Sequence, residues 1–492
     1  MRGWLARGLL ISGAFMLAWV AAIAYWRGTN RMPDAGEIGL YLLAAPALVL
    51  AVIWLGAKLI NSRKQAAQMP AAESGEKVAV EKNAAPVPPA SLAILASAVR
   101  TPHGDSAAEL LATMRANKAS FELDPELTNA NGYPILSARA AAAENDTTLE
   151  AFAAWVESQD KPAEQLLPEQ ARAICLGTAV ARELGQYACL HPALPAEQAR
   201  DREAGNTKLA LPTLELLTLL PPDWDAAAKG LAANWFSHLL QQEGWPKDKI
   251  RLAMPPAGPG QTMAGLRLVM QDQTQTDQPR LLLLLASASY LGEQTIDQWE
   301  RSGILAGSQG KLEQIPGEGA AGLLLADTRQ AQEQWDAATL LHAITQGKLE
   351  KPAEAGQANT AILSAAVVEA LQLAQTQPDQ ISLLCTDSGH RANRASEMIG
   401  MGQQHFPELE PNSDYLRTTS ACGEMGAASE LAALALAHHE ASTTQEKILC
   451  ASNQDSYWRY AAVISARPVP PAPDIAAAPD VINKNRNTAA QT

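Results

Sequence analysis

Six consecutive apolar residues, Leu281 to Ala286, constrain this chain more than any other stretch, because a strand without polar alternation has no face to offer water. Such a strand must be covered on both sides, and Ala321 to Leu325 is a second run of the same kind. Ala93–Val99, Leu211–Leu220, Ile381–Thr386 and Ala461–Ala466 also read as strands, with Pro221-Pro222 ending the second of them. Between them, Ser106–Ala116, Thr147–Ser158, Pro168–Leu184, Ala226–Gly244, Ala361–Thr376, Ala392–Met401 and Ser429–His439 read as helices. This alternation predicts an α/β body with helices layered over a central sheet. Because 47% of the residues are apolar and only 5% aromatic, the core must be built from Ala, Leu, Val and Ile.

The ends of the chain differ from its body. Gly8–Trp26 and Ile38–Ala57 are uninterrupted apolar runs, each near the roughly 20 residues that cross a bilayer, so residues 1–63 read as a two-span membrane anchor. Arg2 and Arg7 precede the first span, and Lys58, Arg63 and Lys64 follow the second. Arg27 and Arg31 lie in the intervening loop, so the basic bias places both termini in the cytoplasm. Residues 64–90, rich in Ala, Glu, Lys, Pro and Gln, read as a flexible linker, and residues 467–492 as a disordered tail.

The net charge of −14 opposes nonspecific binding to nucleic acid, which is excluded as a partner. The five cysteines have no C-x-x-C spacing and the eight histidines form no His/Cys cluster, so neither a metal nor a cofactor is expected.

Three blocks in the second half carry chemistry-like patterns. Arg280–Trp299 joins the apolar strand to a turn and helix, and Ile315–Leu325, IPGEGAAGLLL, leads into the second buried strand. In the latter, Gly317 and Gly319 permit a tight backbone passage after Pro316, and Glu318 can cap backbone amides there. The third block is Leu384–Glu397 together with the Gly423-Glu424-Met425-Gly426 turn that opens an alanine-rich helix.

In this order the blocks resemble β-ketoacyl synthases of the thiolase-like superfamily. The resemblance implies a layered α/β/α/β/α body preceded by two transmembrane helices, with residues 91–350 and 351–466 as its two halves. Thiolase-like proteins generally pair, so a homodimer comes into consideration as well. The resemblance also implies three catalytic positions. The histidine of the family's His-Gly-Thr-Gly-Thr loop falls at Thr386 or Asp387, and that of its Gly-His-x-x-x-Ala-Ala-Gly segment at Glu424. The segment where the nucleophilic cysteine belongs, Met254 to Met270, has no cysteine, and its one hydroxyl is Thr262. An ionised carboxylate cannot donate the N–H that stabilises a thioester enolate. Cys422, ahead of a helix, Cys385 and His390 are the outside candidates for a nucleophile or base.

A large preformed surface with substituted catalytic positions and a membrane tether suits the holding of another protein. The layout also resembles the type VI lipase adaptor proteins, which implies an inner-membrane protein that loads an effector such as a lipase onto the type VI secretion spike protein. The alternative is an acyl-thioester condensing enzyme or acyltransferase.

Overall fold

The computed structural model describes residues 91–159, 166–195, 211–253, 262–273, 280–307, 313–328 and 338–467. The two apolar spans, the linker and nearly all of the tail lie outside these residues. Among the described residues no helix is long and apolar enough to cross a membrane.

The chain opens with β1 (Leu92–Arg100), α1 (Ala107–Arg115), the hairpin β2 (Glu122–Thr128) and β3 (Pro134–Ser137), α2 (Asp146–Glu157) and α3 (Pro168–Ala188). It continues through β4 (Thr213–Leu219), α4 (Ala226–Glu243), β5 (Ile250–Ala253), α5 (Thr262–Gln273), β6 (Arg280–Ser289), α6 (Glu293–Arg301) and β7 (Glu318–Asp327). Then follow β8 (Thr339–Leu341), β9 (Thr345–Lys348), α7 (Ala361–Leu373), β10 (Ile381–Thr386), α8 (Ala392–His405), β11 (Tyr415–Arg417), α9 (Thr418–Cys422), α10 (Ala427–Thr444), β12 (Lys447–Ser452) and β13 (Trp458–Ala466). Local chemistry marks several starts. Ser106, Asn145 and Asp225 cap α1, α2 and α4 through side-chain oxygens that accept backbone N–H bonds, and Gly244 ends α4 in the left-handed region.

All strands but the β2/β3 hairpin form one mixed sheet, ordered β11-β10-β12-β13-β8-β1-β7-β6-β4-β5, with β9 paired to β13. Read outward from the antiparallel β1–β8 contact, both halves have the same plan. β1-β7-β6-β4-β5 on one side matches β8-β13-β12-β10-β11 on the other, with the outer three strands parallel and the next antiparallel to them. The helices correspond too: α3 with α7, α4 with α8, and α5 with α10. The repeat begins at β8, so β8 and β9, which precede residue 351, belong to the C-terminal half.

Strand periodicity sorts side chains into three cores. On β6, Leu281, Leu283 and Leu285 pack with α3 and α4, whereas Leu282, Leu284 and Ala286 turn to the middle. On β12, Leu449 and Ala451 pack with α7 and α8, whereas Ile448 and Cys450 face the same middle core. That core holds α1, α5 and α10, giving helix, sheet, helix, sheet, helix. Helix α10 is buried on every side from Ala428 to Ala437, and its alanines let the two halves of the sheet approach it closely.

Candidate site at the openings of the two middle helices

The starts of α5 and α10 meet. Thr262 Oγ1 donates to the Ala427 carbonyl at 3.2 Å, and the Met263 amide donates to Glu430 Oε2 at 3.2 Å. Beside them lies a cavity of about 870 Å³ lined by Asp387, Glu424, Gly426, Ser429, Glu430, Ser452 and Gln454 on one side. Leu216, Leu219, Leu252 and Pro221 supply an apolar wall.

Two loops cross here. The Glu424 amide donates to the Ile315 carbonyl at 2.8 Å, and the Gly317 amide donates to the Glu424 carbonyl at 3.2 Å. A Cβ on Gly317 would stand 2.2 Å from the Cys422 carbonyl oxygen and 3.0 Å from the Cα of Gly423, which is itself at φ +74°. Gly317→Ala is therefore expected to lower stability by about 1–3 kcal/mol or more by overpacking. Urea unfolding checks this, and a loss under about 0.5 kcal/mol, the ordinary surface range, would refute the crossing.

Pro316 bridges Glu424 across this crossing, and Glu318 begins β7 fully buried. Its carboxylate accepts from the Ala140 amide at 2.8 Å, from Arg172 Nε and Nη2 at 2.8 and 2.6 Å, and from Ser289 Oγ at 2.9 Å. It does cap a backbone amide, but its main partner is a guanidinium fork. Gly319 follows with Met425 packed over its Cα.

The structure separates the residues named from sequence. Asp387, Glu424 and Gly426 line the cavity. Asp387 accepts from Ser452 Oγ at 2.7 Å and from the Asn453 amide at 3.0 Å. Glu424 accepts from the Gly426 amide at 3.0 Å and from Gln454 Nε2 at 3.1 Å. Thr386 is buried beneath, where its hydroxyl accepts from the Ser388 amide. His390 is exposed, stands edge-on to Phe121, and is not a lining residue. Cys422 and Cys385 are fully buried away from the cavity, Cys385 beside Cys450 on the neighbouring strand. Burial pushes the Cys422 thiol up to about 12, against the hydrogen bond from Thr101, and burial followed by Cys450 raises Cys385. Neither is poised as a thiolate.

Sequence reasoning misses Glu430, although a carboxyl inside an alanine-leucine run is a signal of a buried charge. Burial, then the negative charge of Asp387, push it up to about 8, against the hydrogen bond that Glu430 Oε2 accepts from the Met263 amide. Asp387 is raised the same way, by burial first and by Glu424, against Ser452 and Asn453. Beside Gly426, burial and then the charges of Glu424 and Asp223 raise the Tyr290 phenol. Burial and mutual repulsion therefore make it costly for Glu430 and Asp387 to carry their charges together. Among the described residues no group of three or more His, Cys, Asp or Glu side chains could hold a metal ion.

This fold has solved counterparts. The ketosynthase from module 1 of the bacillaene synthase of Bacillus amyloliquefaciens FZB42 superposes with a TM-score of 0.53 at 12% identity, over 79% of this chain and 75% of that one. The module 6 ketosynthase of the Bacillus subtilis 168 bacillaene synthase gives 0.54 at 13% identity, over 77% and 72%. The Streptomyces albus JA3453 oxazolomycin ketosynthase domain OzmH KS7 gives 0.52 at 13% identity, over 78% and 75%. No protein-family model matches the chain, and no curated protein matches its sequence. The described body has the ketosynthase, thiolase-like fold.

Proposed function

We propose that this protein is a noncatalytic, ketosynthase-like adaptor that holds an effector, such as a lipase, for loading onto a type VI secretion spike protein. The observation that carries the noncatalytic part is the cavity at the openings of α5 and α10. Carboxyls and amides line it, while Cys422 and Cys385 are sealed in the core and the segment leading into α5 has no cysteine. A condensing enzyme needs an accessible nucleophile there. The adaptor part draws on the resemblance in layout to type VI lipase adaptor proteins, and the inner-membrane location, with the body in the cytoplasm, on the apolar runs within residues 1–63. A homodimer is compatible with this reading, because β5 forms one end of the sheet with Leu252 exposed.

The fold of the solved counterparts favours a second reading, an acyl-thioester condensing enzyme or acyltransferase. Affinity capture of the tagged full-length protein from detergent-solubilised native cells, followed by mass spectrometry, separates the two. Recovery of a lipase-like effector or a spike protein is expected, and Cys422→Ala and Cys385→Ala should recover it within about twofold of the parent. Recovery of an acyl carrier protein alone, or acyl-transfer turnover abolished by either substitution, would overturn the adaptor reading.

A further inference from the structure

The cavity gathers more carboxyl groups and more unused acceptors than its own residues satisfy. Asp387, Glu424 and Glu430 reach it from the end of β10, the loop before α10 and the first turn of α10. Two cations also line it, yet their terminal nitrogens are engaged elsewhere. Arg391 donates to Glu354 and the Gln454 carbonyl, and Lys229 donates to the Pro222 carbonyl. Three buried oxygens of residues that line the cavity have no hydrogen-bond partner among the described residues: Glu430 Oε1, Ser429 Oγ and Gln454 Oε1. Glu430 is 5% exposed and Ser429 2%, so bulk water does not serve them. Gln454 offers its oxygen because its Nε2 is committed to Glu424.

We propose that this cavity binds an alkylammonium group. An ammonium has one positive charge and three N–H donors, which answers both the carboxylates and the unpartnered acceptors. Burying those carboxyls without such a partner is costly, and cavities of this size take small organic molecules rather than single ions. The carboxyls do not cluster tightly enough to hold a metal ion. The apolar wall of Leu216, Leu219 and Leu252 fits the hydrocarbon that an alkylammonium brings with it. The group can come from a free amine or from a lysine side chain of a bound protein. The inference goes beyond the adaptor reading and does not depend on it.

Isothermal titration of the full-length protein with hexylammonium chloride tests this, alongside a lysine-containing pentapeptide and its Nε-acetylated form. Saturable binding of hexylammonium or of the unmodified peptide is expected, weakened at least tenfold by Glu430→Gln and by Asp387→Asn. Tighter binding of the free amine points to a small-molecule ligand, and tighter binding of the peptide to a partner's lysine. Absence of binding by both probes, binding unchanged in both variants, or equal binding of hexan-1-ol, the acetylated peptide or potassium chloride would overturn the proposal.

Discussion

Replacing Glu318 with alanine will lower the stability of the folded body by about 3–5 kcal/mol, the cost of stranding one member of a buried ion pair. The carboxylate is fully buried and accepts four hydrogen bonds, two of them from the Arg172 fork. Once it is gone, Arg172 keeps only Glu144, at 3.3 Å, and its side chain is 15% exposed. The Ala140 amide and Ser289 hydroxyl lose their acceptor as well. Urea unfolding of the parent and variant checks the figure. The double variant Glu318→Ala/Arg172→Met should recover part of the loss, because it removes the stranded cation. A single variant within about 1 kcal/mol of the parent would show that Glu318 is not the hub of this junction.

The opposite sign is expected for Glu430→Gln. The carboxyl of Glu430 has its folded value raised to about 8 by burial and by Asp387, whereas an unfolded glutamate titrates near 4.3. Between those values the folded state binds the extra proton, so stability falls as pH rises. The penalty is absent below about pH 4, grows through neutrality and is complete above about pH 8. Each tenfold difference in proton affinity between the folded and unfolded chain adds about 1.4 kcal/mol to it. Glutamine removes it. Thermal denaturation of the two proteins should give nearly equal Tm at pH 4.5 and a variant that is several degrees more stable at pH 8.5. Because Glu430 and Asp387 interact, the transition belongs to the pair rather than to either residue. A difference that does not grow with pH would mean Glu430 is paired in solution. A stability cost of this kind, borne by a residue at a cavity, is what a binding role would explain.

Much of the fold was legible because burial leaves a trace in residue pattern. The run at Leu281–Ala286 announced a strand covered on both faces, and it is the middle of β6. Ile381–Thr386 has the limits of β10, and the Ala-rich stretch after Gly426 is the enclosed α10. The short strands β5, β8, β9 and β11, of three or four residues each, carried no such trace, since so few positions cannot display a period. Strand β12 is longer, but its ILCAS pattern is too brief to tell from a buried helix turn.

Sequence by itself therefore determined the class of the body and the tight glycine passage at Gly317 into a buried strand, whereas the crossing of that passage with Gly423 appears only in the folded chain. Tertiary structure alone decided that the halves repeat one plan, because strand order depends on which edges pair across hundreds of residues. It alone sealed Cys422 and Cys385 in the core and left His390 outside. It also brought Asp387, Glu424 and Glu430 to one cavity, where burial, a property no single position in a sequence possesses, raises the proton affinities of Asp387 and Glu430.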